Sequence, residues 1–411
     1  MTAELPALTA EQTAERLGIK LETLYAYVAR GRLTRARTPS GSTFDPLEVE
    51  RFAAARRQRA AAAPSAERGH SDGRPLMVID TTFAHIEDDE LLYRDRDAVE
   101  LAQTTSFETV ARWALTAQWD AEASFAAHPS AADQARHVTA AMPPAATHRD
   151  RQLVAVTVLA AADPLRYTLD PVAVASAAES LVAGMVDVLP IVSGAALPAG
   201  REASIAARLW PRLTAHPATP QALRQLNAAL VLLIDHDLAI STLAARAAAS
   251  ARANAYAVVT TGLGALDSPL HGNASRATHR MLARVVAGEH PERAVADTMI
   301  SGRGAVPGFG HALYRRGDPR GRALLEMLRE RSEAAAVLEA AERVSAVVGS
   351  RTGTHPNVDF ALAAISLADG MPDDAGEVVF ATARTIGWVL HALDEYSRPA
   401  LRLRTVGRYT A

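Results

Sequence analysis

The sequence predicts an all-α protein whose main body begins near Leu76. From that point on, segments rich in Ala, Leu and Val place apolar residues at the helical period of about 3.6 residues, and Pro and Gly interrupt them. Alternating runs of β-branched residues, which would indicate strands, are few. With 411 residues, 49% of them hydrophobic, the chain can bury a substantial core and form two or three domains.

Composition excludes several classes of function. The chain has no cysteine, which rules out thiol nucleophiles, disulfides and thiolate metal sites. A formal net charge of −3 gives no general attraction to nucleic acid or to an anionic membrane. The segment from Met1 to Leu33 lacks a basic region followed by an apolar one, and apolar runs such as Leu230–Ile234 are too short to cross a bilayer. We therefore expect a soluble, cytoplasmic protein without a membrane partner.

The first 60 residues predict a small module in front of the helical body. Thr9 and Gly18 are the residue types expected at the start and the end of a first helix. The later elements of the module follow in order: a helix over Thr23–Arg30, a hairpin over Leu33–Phe44, and a helix that starts at Asp45-Pro46. Residues 61–75, rich in Ala, Arg, Ser, Pro and Gly, are expected to form a linker.

This order of elements resembles the winged helix-turn-helix domains of the MerR/excisionase type, which would make DNA a partner of residues 1–60. Four arginines surround the expected wing, where they suit phosphate contacts: Arg30, Arg32, Arg35 and Arg37. The alternative is that the module only packs on the body or mediates self-association, since arginine is abundant throughout the chain.

Four positions in the second half of the chain carry residues suited to catalysis. They are His236 within Asp235-His236-Asp237, His271 before an expected helix, His311 after a glycine-containing loop, and Asp359 before an apolar stretch. Taken singly, each has an ordinary structural explanation, because a lone histidine is more often a core or surface residue and an aspartate often begins a helix. The histidines are scattered and form no metal-binding spacing, so no metal is expected.

Together these positions resemble the citrate synthase family. The similarity covers roughly residues 76–411, starts with Tyr93-Arg94, and includes Ala383-Arg384-Thr385-Ile386-Gly387-Trp388 and Arg398-Pro399. The four motifs that carry it stand in the family's order: Leu233-Ile234-Asp235-His236; Ser268-Pro269-Leu270-His271-Gly272; Pro307-Gly308-Phe309-Gly310-His311 with Asp318-Pro319-Arg320; and Pro356-Asn357-Val358-Asp359-Phe360.

The resemblance implies a fold and an assembly. A large helical domain would comprise residues 76–271 and 375–411, and a smaller helical domain, residues 272–374, would close over the substrates. The protein would be a homodimer that condenses acetyl-CoA with oxaloacetate and hydrolyses citryl-CoA to citrate and CoA. It would thus be an acyl-CoA:oxaloacetate C-acyltransferase with CoA as a cosubstrate and no permanently bound cofactor.

For the acyl-CoA side, the resemblance assigns Asp359 as the base that removes a methyl proton and His271 as the donor to the thioester oxygen. These residue types suit the reaction, because a weakly acidic methyl group needs a carboxylate base and its enol needs an opposed hydrogen-bond donor. The positive end of the helix after His271 should keep this imidazole neutral. Arg315 is expected to contact a CoA phosphate.

For the keto-acid side, the resemblance assigns His311 to the oxygen that becomes an alkoxide, and His236 to substrate binding. Guanidinium groups suit a dianionic substrate, and three arginines match the family's motifs: Arg320, Arg384 and Arg398. The last of them would reach the site of the other subunit.

Two departures from the family pattern leave the acyl donor open. Asn273 and Ser275 stand where the family has glycine and asparagine, which could slow turnover or alter the donor. A 2-methylcitrate synthase that uses propionyl-CoA is one alternative, because a single methylene changes discrimination by only about 1–3 kcal/mol. A third interpretation is a DNA-binding regulator in which the enzyme body senses a metabolite.

Overall fold

The computed structural model describes residues 6–39, 41–62, 78–198, 203–268, 271–301, 306–314 and 316–405. These residues form eighteen α-helices, one short 3-10 helix and six short strands. The predicted all-α class is therefore confirmed, with the strands confined to the first hundred residues.

The N-terminal module contains three helices and a three-stranded antiparallel sheet in the order β1-β3-β2. Its elements are β1 (Leu8–Thr9), α1 (Ala10–Leu17), α2 (Leu21–Ala29), β2 (Ala36–Thr38), β3 (Gly41–Phe44) and α3 (Pro46–Ala62). Thr9 begins α1 with a capping box to Gln12, and Gly18 ends it with a left-handed φ of 59°, as expected from their residue types.

Helix α3 runs further than the sequence indicates. It includes residues 61 and 62, the first two of the predicted linker, and the rest of that linker lies outside the described residues. The run of alanine and arginine in this segment favours helix even without an apolar face, because both are strong helix formers.

A small antiparallel meander precedes the helical body. It consists of β4 (Ala84–Glu87), β5 (Glu90–Tyr93) and β6 (Arg96–Asp97). Tyr93 at the end of β5 is fully buried, stacks on Phe83, and donates a hydrogen bond of 2.9 Å from its hydroxyl to the carbonyl oxygen of Val231. The meander therefore anchors the start of the body to the helix that leads into His236.

The helical body consists of fifteen helices in the described residues. They are α4 (Ala98–Thr104), α5 (Phe107–Thr116), α6 (Pro129–Ala140), α7 (His148–Ala162), α8 (Pro171–Asp187), α9 (Ile205–Leu213), α10 (Pro220–Leu233), α11 (Ile240–Ser250), α12 (Ala255–Leu266), α13 (Ala274–Val286), α14 (Pro291–Ser301), α15 (Pro319–Arg329), α16 (Ala335–Thr352), α17 (Val358–Ala368) and α18 (Ala375–Tyr396).

Helix α18 lies at the centre of the body and packs against α8, α10, α11 and α12. Most of its side chains are buried, which explains its apolar character on nearly all sides. Trp388 is fully buried and lies against Gly262, where an added Cβ would approach the indole to 2.5 Å. Close packing of α12 on α18 thus depends on glycine at this position.

Helices α13 to α17 pack mainly among themselves, with α13 and α15 both against α17. The predicted division at residues 272 and 374 brackets this set, and it stays a prediction. No helix in the described part of the chain is long and apolar enough to cross a membrane.

The N-terminal module is attached to this same set of helices. Arg16 donates a hydrogen bond of 2.8 Å from Nη1 to the carbonyl oxygen of Met299, at the end of α14. Arg351 on α16 forms an ion pair with Asp45. Leu47 is 1% exposed and belongs to the main hydrophobic core rather than to the core of the module. The module is therefore packed on the body by apolar and polar contacts together.

Candidate active site

His236 lies in a tight turn after α10 whose position is fixed on both sides. Asp237 has a left-handed φ of 50°, which turns the chain directly after the histidine. Asp235 is fully buried, and its Oδ1 lies 3.1 Å from Nε2 of His391. Gly387 allows α18 to approach this turn, since a Cβ there would lie 2.1 Å from the carbonyl oxygen of Ile234.

His236 is buried and makes one side-chain contact that the sequence did not indicate. Its Nε2 lies 2.8 Å from the hydroxyl of Tyr314, and its ring centroid lies 4.9 Å from that of His311. Burial lowers the pKa of His236 well below its usual value, and the Arg320 guanidinium lowers it further. The imidazole is therefore neutral at physiological pH.

His311 follows the loop of Gly308 and Gly310, both of which have positive φ. The backbone N–H of Leu313 donates a hydrogen bond of 3.1 Å to Nδ1 of His311. Burial and then Arg320 lower the pKa of His311 to about 4. A neutral imidazole that accepts at Nδ1 carries its proton on Nε2, so His311 presents a hydrogen-bond donor at that atom.

Hydrogen bonds join the His311 loop to the segment just before α17. The N–H of Gly310 donates to the carbonyl oxygen of His355 at 2.8 Å, and the N–H of Asn357 donates to that of Gly308 at 2.9 Å. The side chain of Asn357 donates to the carbonyl oxygen of Gly310 at 3.0 Å and also caps α17. These bonds hold the two motifs together although almost fifty residues separate them.

Arg320 is 3% exposed and stands in the first turn of α15. It forms a bidentate pair with Asp318, from Nε to Oδ1 at 2.9 Å and from Nη2 to Oδ2 at 2.8 Å. Asp318 in turn accepts from the backbone N–H of Val358 at 3.0 Å, so it joins α15 to α17. This pair orients the buried guanidinium of Arg320 and uses only some of its N–H groups, so others are left to bind a substrate.

Asp359 occupies the first turn of α17, where its backbone N–H donates to Asn357 Oδ1 at 3.0 Å. Burial raises the pKa of Asp359 to about 7, against the lowering influence of Arg320, and the carboxylates of Asp318 and Glu377 add to the rise. Part of the residue surface still reaches solvent. A carboxyl group of this kind is near half-ionised at neutral pH, as a general base requires.

His271 is oriented by two residues of the large helices. Its Nε2 lies 2.7 Å from Ser241 Oγ, and Trp388 Nε1 lies 3.3 Å from the same oxygen. An indole N–H only donates, so Ser241 accepts from Trp388 and can donate its own hydroxyl proton to Nε2 of His271. In that arrangement the imidazole proton lies on Nδ1. Burial and then Arg384 lower the pKa of His271 to about 4, so this histidine is neutral, as expected from the sequence.

Arg384 projects from α18 toward the turn that carries His236. It is 1% exposed, and its Nε donates to the carbonyl oxygen of Leu233 at 2.9 Å. Its guanidinium carbon lies 4.7 Å from the ring centroid of Phe380. Burial lowers the pKa of Arg384, and the nearby charge of Arg320 lowers it further. The two guanidinium groups therefore lie within electrostatic range of each other and of His236.

The structure therefore groups most of the predicted residues in two connected sets. His236, His311, Arg320 and Arg384 surround one another, and Asp359 lies within electrostatic range of Arg320. His271 stands beside Arg384 and packs its ring 5.9 Å from that of Phe380.

Arg398 is not part of this group within one chain. Arg398 follows the end of α18, and its Nη2 lies 3.1 Å from Oδ1 of Asp394 in that helix. Arg315 lies outside the described residues.

The two departures from the family pattern have structural partners: Asn273 Oδ1 accepts from Arg149 at 3.1 Å, and Ser275 is 2% exposed against Gly376.

Sequence reasoning missed three residues of the site: Tyr314, Asp318 as the partner of Arg320, and Ser241. Asp318 lies in the motif Asp318-Pro319-Arg320, in which only Arg320 is predicted to bind substrate. The sequence does not indicate the contact of Tyr314 with His236 or that of Ser241 with His271, because each joins residues from different parts of the chain. Among the described residues, no three histidine or acidic side chains are placed to share a metal ion.

The site thus combines buried neutral imidazoles, two guanidinium groups and a carboxyl group of raised pKa, a set of groups suited to acid–base chemistry and to binding an anion. The family profile described as "Citrate synthase, C-terminal domain" matches residues 72–404. The chain therefore belongs to the citrate synthase family. The N-terminal module lies outside the matched region.

Individual relatives agree with this assignment. The chain is 31% identical to citrate synthase 2 of Bacillus subtilis over 201 residues, 48% of this chain and 54% of the relative. It is 36% identical to citrate synthase of Haloferax volcanii over 186 residues, 44% of this chain and 48% of the relative. It is 31% identical to 2-methylcitrate synthase 2 of Corynebacterium glutamicum over 198 residues, 47% of this chain and 50% of the relative. The chain thus matches about half the length of these relatives.

Solved structures share the fold over a larger part of the chain. The citrate synthase of Thermoplasma acidophilum, in a ternary complex with carboxymethyl coenzyme A and oxaloacetate, superposes with a TM-score of 0.68 at 23% identity, covering 84% of this chain and 97% of that one. The citrate synthase of Thermotoga maritima gives a TM-score of 0.65 at 21% identity, covering 82% and 94%. At these identities the likeness concerns the fold.

Proposed function

We propose that the protein is a citrate synthase, which condenses acetyl-CoA with oxaloacetate and releases citrate and CoA. The observation that carries this proposal is the grouping of His236, His311, Arg320 and Arg384 beside a carboxyl group, Asp359, whose pKa is raised to about 7. Two guanidinium groups suit the two carboxylates of a keto diacid, and the neutral imidazoles supply donors to its keto oxygen.

In the first step, Asp359 removes a proton from the methyl group of acetyl-CoA. The C–H electron pair forms the C=C double bond of the enolate, and the C=O electron pair moves to the thioester oxygen, which gains negative charge. His271 is neutral and, with its proton on Nδ1, donates a hydrogen bond to that oxygen and keeps the proton itself.

In the second step, the nucleophilic carbon attacks the keto carbon of oxaloacetate and forms the new C–C bond. The keto oxygen becomes an alkoxide, which His311 stabilises from Nε2 while Arg320 adds positive charge. The alkoxide takes up one proton to become the hydroxyl of citryl-CoA, and Asp359 gives up the one it removed, so the proton count balances. Water then hydrolyses the thioester of citryl-CoA, giving citrate and CoA. Arg384 and His236 hold the carboxylates and the keto group in place during both bond changes.

Arg398 pairs with Asp394 in its own chain and has no contact with the group of His236, His311, Arg320 and Arg384 among the described residues. We infer a homodimer in which this arginine completes the partner's site. The closing domain over 272–374 and a contact of Arg315 with CoA phosphate belong to the same proposal, as does a cytoplasmic location.

The decisive experiment measures thiol release from acetyl-CoA with oxaloacetate. The absence of cysteine means that the protein adds no thiol background. Asp359→Ala should lower kcat by about 10²–10⁴, as expected for loss of a general base. Asp133→Asn, an exposed aspartate, should leave the rate unchanged. If the wild type releases no CoA, the proposal is wrong.

A 2-methylcitrate synthase is the second candidate, favoured by the similarity to the Corynebacterium glutamicum enzyme. The ratio of kcat/KM for propionyl-CoA and acetyl-CoA separates the two. A ratio above one assigns the protein to the propionyl donor, and a ratio below one retains citrate synthase.

DNA binding by the N-terminal module is a separate candidate function. Lys20, Arg30, Arg32 and Arg37 are exposed, and Arg35 lies 6.0 Å from the ring centroid of the exposed Tyr25. Cations around an exposed aromatic ring suit contacts with phosphates. A gel shift across salt concentrations, with and without oxaloacetate, should show weaker binding for Arg35→Ala/Arg37→Ala than for Arg280→Ala/Arg293→Ala, which removes the same charge elsewhere. Equal binding by the two variants would exclude this surface.

A further inference from the structure

Two residues of helix α18 hold the chain segment that leads into His236. Arg384 donates from Nε to the carbonyl oxygen of Leu233 at 2.9 Å. His391 follows about two helical turns later, and its Nε2 lies 3.1 Å from Oδ1 of Asp235, the residue directly before His236. Arg384 already has a part in the proposed reaction. His391 has none, so its contact with the substrate-binding turn needs a separate explanation.

The hydrogen bonds of His391 determine its tautomer. The residue is 3% exposed, and Nη1 of Arg246 lies 2.8 Å from its Nδ1. A guanidinium group only donates hydrogen bonds, so Nδ1 is the acceptor and carries no proton. The proton of the neutral imidazole is then on Nε2, from which His391 donates to Asp235. Arg246 therefore fixes the direction of both hydrogen bonds.

Arg246 is itself held firmly. It lies on α11, it is fully buried, and its Nε donates to Oε1 of Glu395 at 2.7 Å. Its Nη2 donates to Oδ2 of Asp394 at 2.5 Å. Both acidic residues belong to the last turns of α18, which also carries His391. The guanidinium is therefore fixed in its orientation, and the imidazole that it meets is fixed with it.

The carboxylate of Asp235 has few partners besides His391. Asp235 is fully buried, and its Oδ2 has no hydrogen-bond partner among the described residues. Its backbone is held separately, since its carbonyl oxygen accepts from the hydroxyl of Tyr93 at 3.2 Å. A buried carboxylate without a donor is costly, so loss of the bond from His391 would drive this side chain toward another donor. Because His236 is the next residue, a shift of Asp235 would also shift the imidazole of His236.

We propose that His391 is a positioning residue for the keto-acid side of the site: by holding Asp235, it fixes the turn from which His236 reaches the substrate. This inference rests on the proposed function, because it takes oxaloacetate to bind beside His236. Loss of His391 should therefore weaken the binding of oxaloacetate. The acyl-CoA side, where Asp359 and His271 act, should be affected less.

The test compares two replacements of His391 in the full chain. His391→Phe keeps a flat ring but makes neither hydrogen bond, and it should raise the KM for oxaloacetate about tenfold while changing kcat less. His391→Gln again offers an amide N–H and a carbonyl oxygen, so its KM should stay within about threefold of the wild-type value. The KM for acetyl-CoA at saturating oxaloacetate should be the same in all three proteins.

Two results would overturn the proposal. One is an unchanged KM for oxaloacetate in His391→Phe. The other is an equal loss of activity in His391→Phe and His391→Gln at an unchanged KM, which would indicate that the imidazole only fills space. His279→Gln removes a different buried imidazole, on α13, and should leave the KM for oxaloacetate at the wild-type value.

A replacement variant is available if His391→Phe does not fold. The side chain of His391→Asn is long enough to accept from Arg246 but too short to reach Asp235, and it leaves room for water beside the carboxylate. It should raise the KM for oxaloacetate as His391→Phe does. An unchanged KM in this variant contradicts the proposal equally.

Calorimetric titration with oxaloacetate gives a readout that does not depend on turnover. The Kd should rise about tenfold in His391→Phe or His391→Asn and change little in His391→Gln. A wild type that binds oxaloacetate but releases no CoA refutes the proposed reaction, and the ratio of Kd values still decides the role of His391. A wild type that does not bind oxaloacetate refutes both.

Discussion

The hydroxyl of Tyr314 lies 2.8 Å from Nε2 of His236, and the ring of Tyr314 lies 5.0 Å from that of His311. Burial raises the pKa of Tyr314, so the phenol stays protonated, and the imidazole it meets is neutral. One side chain therefore contacts both histidines proposed to hold the keto acid. It fixes the ring of His236 before a substrate arrives.

Tyr314→Phe should raise the KM for oxaloacetate about five- to tenfold and change kcat less, because a hydrogen bond worth about 1 kcal/mol orients a binding residue rather than the reacting carbon. Steady-state kinetics with saturating acetyl-CoA measure this split. Tyr167→Phe, at an exposed tyrosine, is the control. A lowered KM would show instead that the hydroxyl competes with the substrate for Nε2.

The pH dependence of kcat/KM for acetyl-CoA should report Asp359. Its carboxyl must be ionised to accept a proton, so activity should rise with pH and reach half its maximum near pH 7, where burial has placed the pKa. His271 and His311, with pKa values of about 4, remain neutral over this range. An acidic limb centred near pH 4 would contradict the assignment of Asp359 as the base.

Asp359→Asn should stabilise the fold at pH 8. The carboxyl has a pKa of about 7 when folded and an ordinary value of 3.8, so folding disfavours its ionised form. The resulting loss of stability is absent below pH 4, grows as the pH rises, and is complete above pH 7. Thermal unfolding of the variant and the wild type should therefore differ at pH 8 and converge at pH 4. An equal difference at both pH values would contradict this explanation.

Ser241→Ala should lower kcat about tenfold while leaving oxaloacetate binding unchanged, because His271 loses the contact that holds its proton on Nδ1 toward the thioester. Ser250→Ala is a matched control on the same helix, also buried, whose hydroxyl donates to the carbonyl oxygen of Ala247. Activity and oxaloacetate titrations on both variants measure the difference. Equal kcat values for the two would remove Ser241 from the positioning of His271.

The features predicted correctly from the sequence are those with a local cause. Thr9 and Gly18 delimit α1 because capping depends on residues within one helical turn. The motifs of His271, His311 and Asp359 are recognisable because each comes with its own neighbouring Gly, Pro or Asn, and that of His236 because it follows an apolar run. Most of the correct predictions therefore depend on residues that are neighbours in the sequence.

The features that were missed depend on residues far apart in the chain. Ser241 and Trp388 are 147 positions apart, and each by itself looks like an ordinary residue of a packed helix. The neutral state of His271 was expected from the helix that follows it, whereas burial is the largest influence on its pKa and Arg384 the next. Burial and charge from distant segments are known only once the helices are packed.

The attachment of the N-terminal module limits how the chain can be shortened. Leu47 lies in the main hydrophobic core, and Ile300 on α14 packs against the core of the module. A protein trimmed to the region matched by the family profile would leave these apolar surfaces bare and Met299 and Arg351 without their contacts. Preparations intended to isolate the enzyme from its first 62 residues should accordingly aggregate more readily than the intact chain.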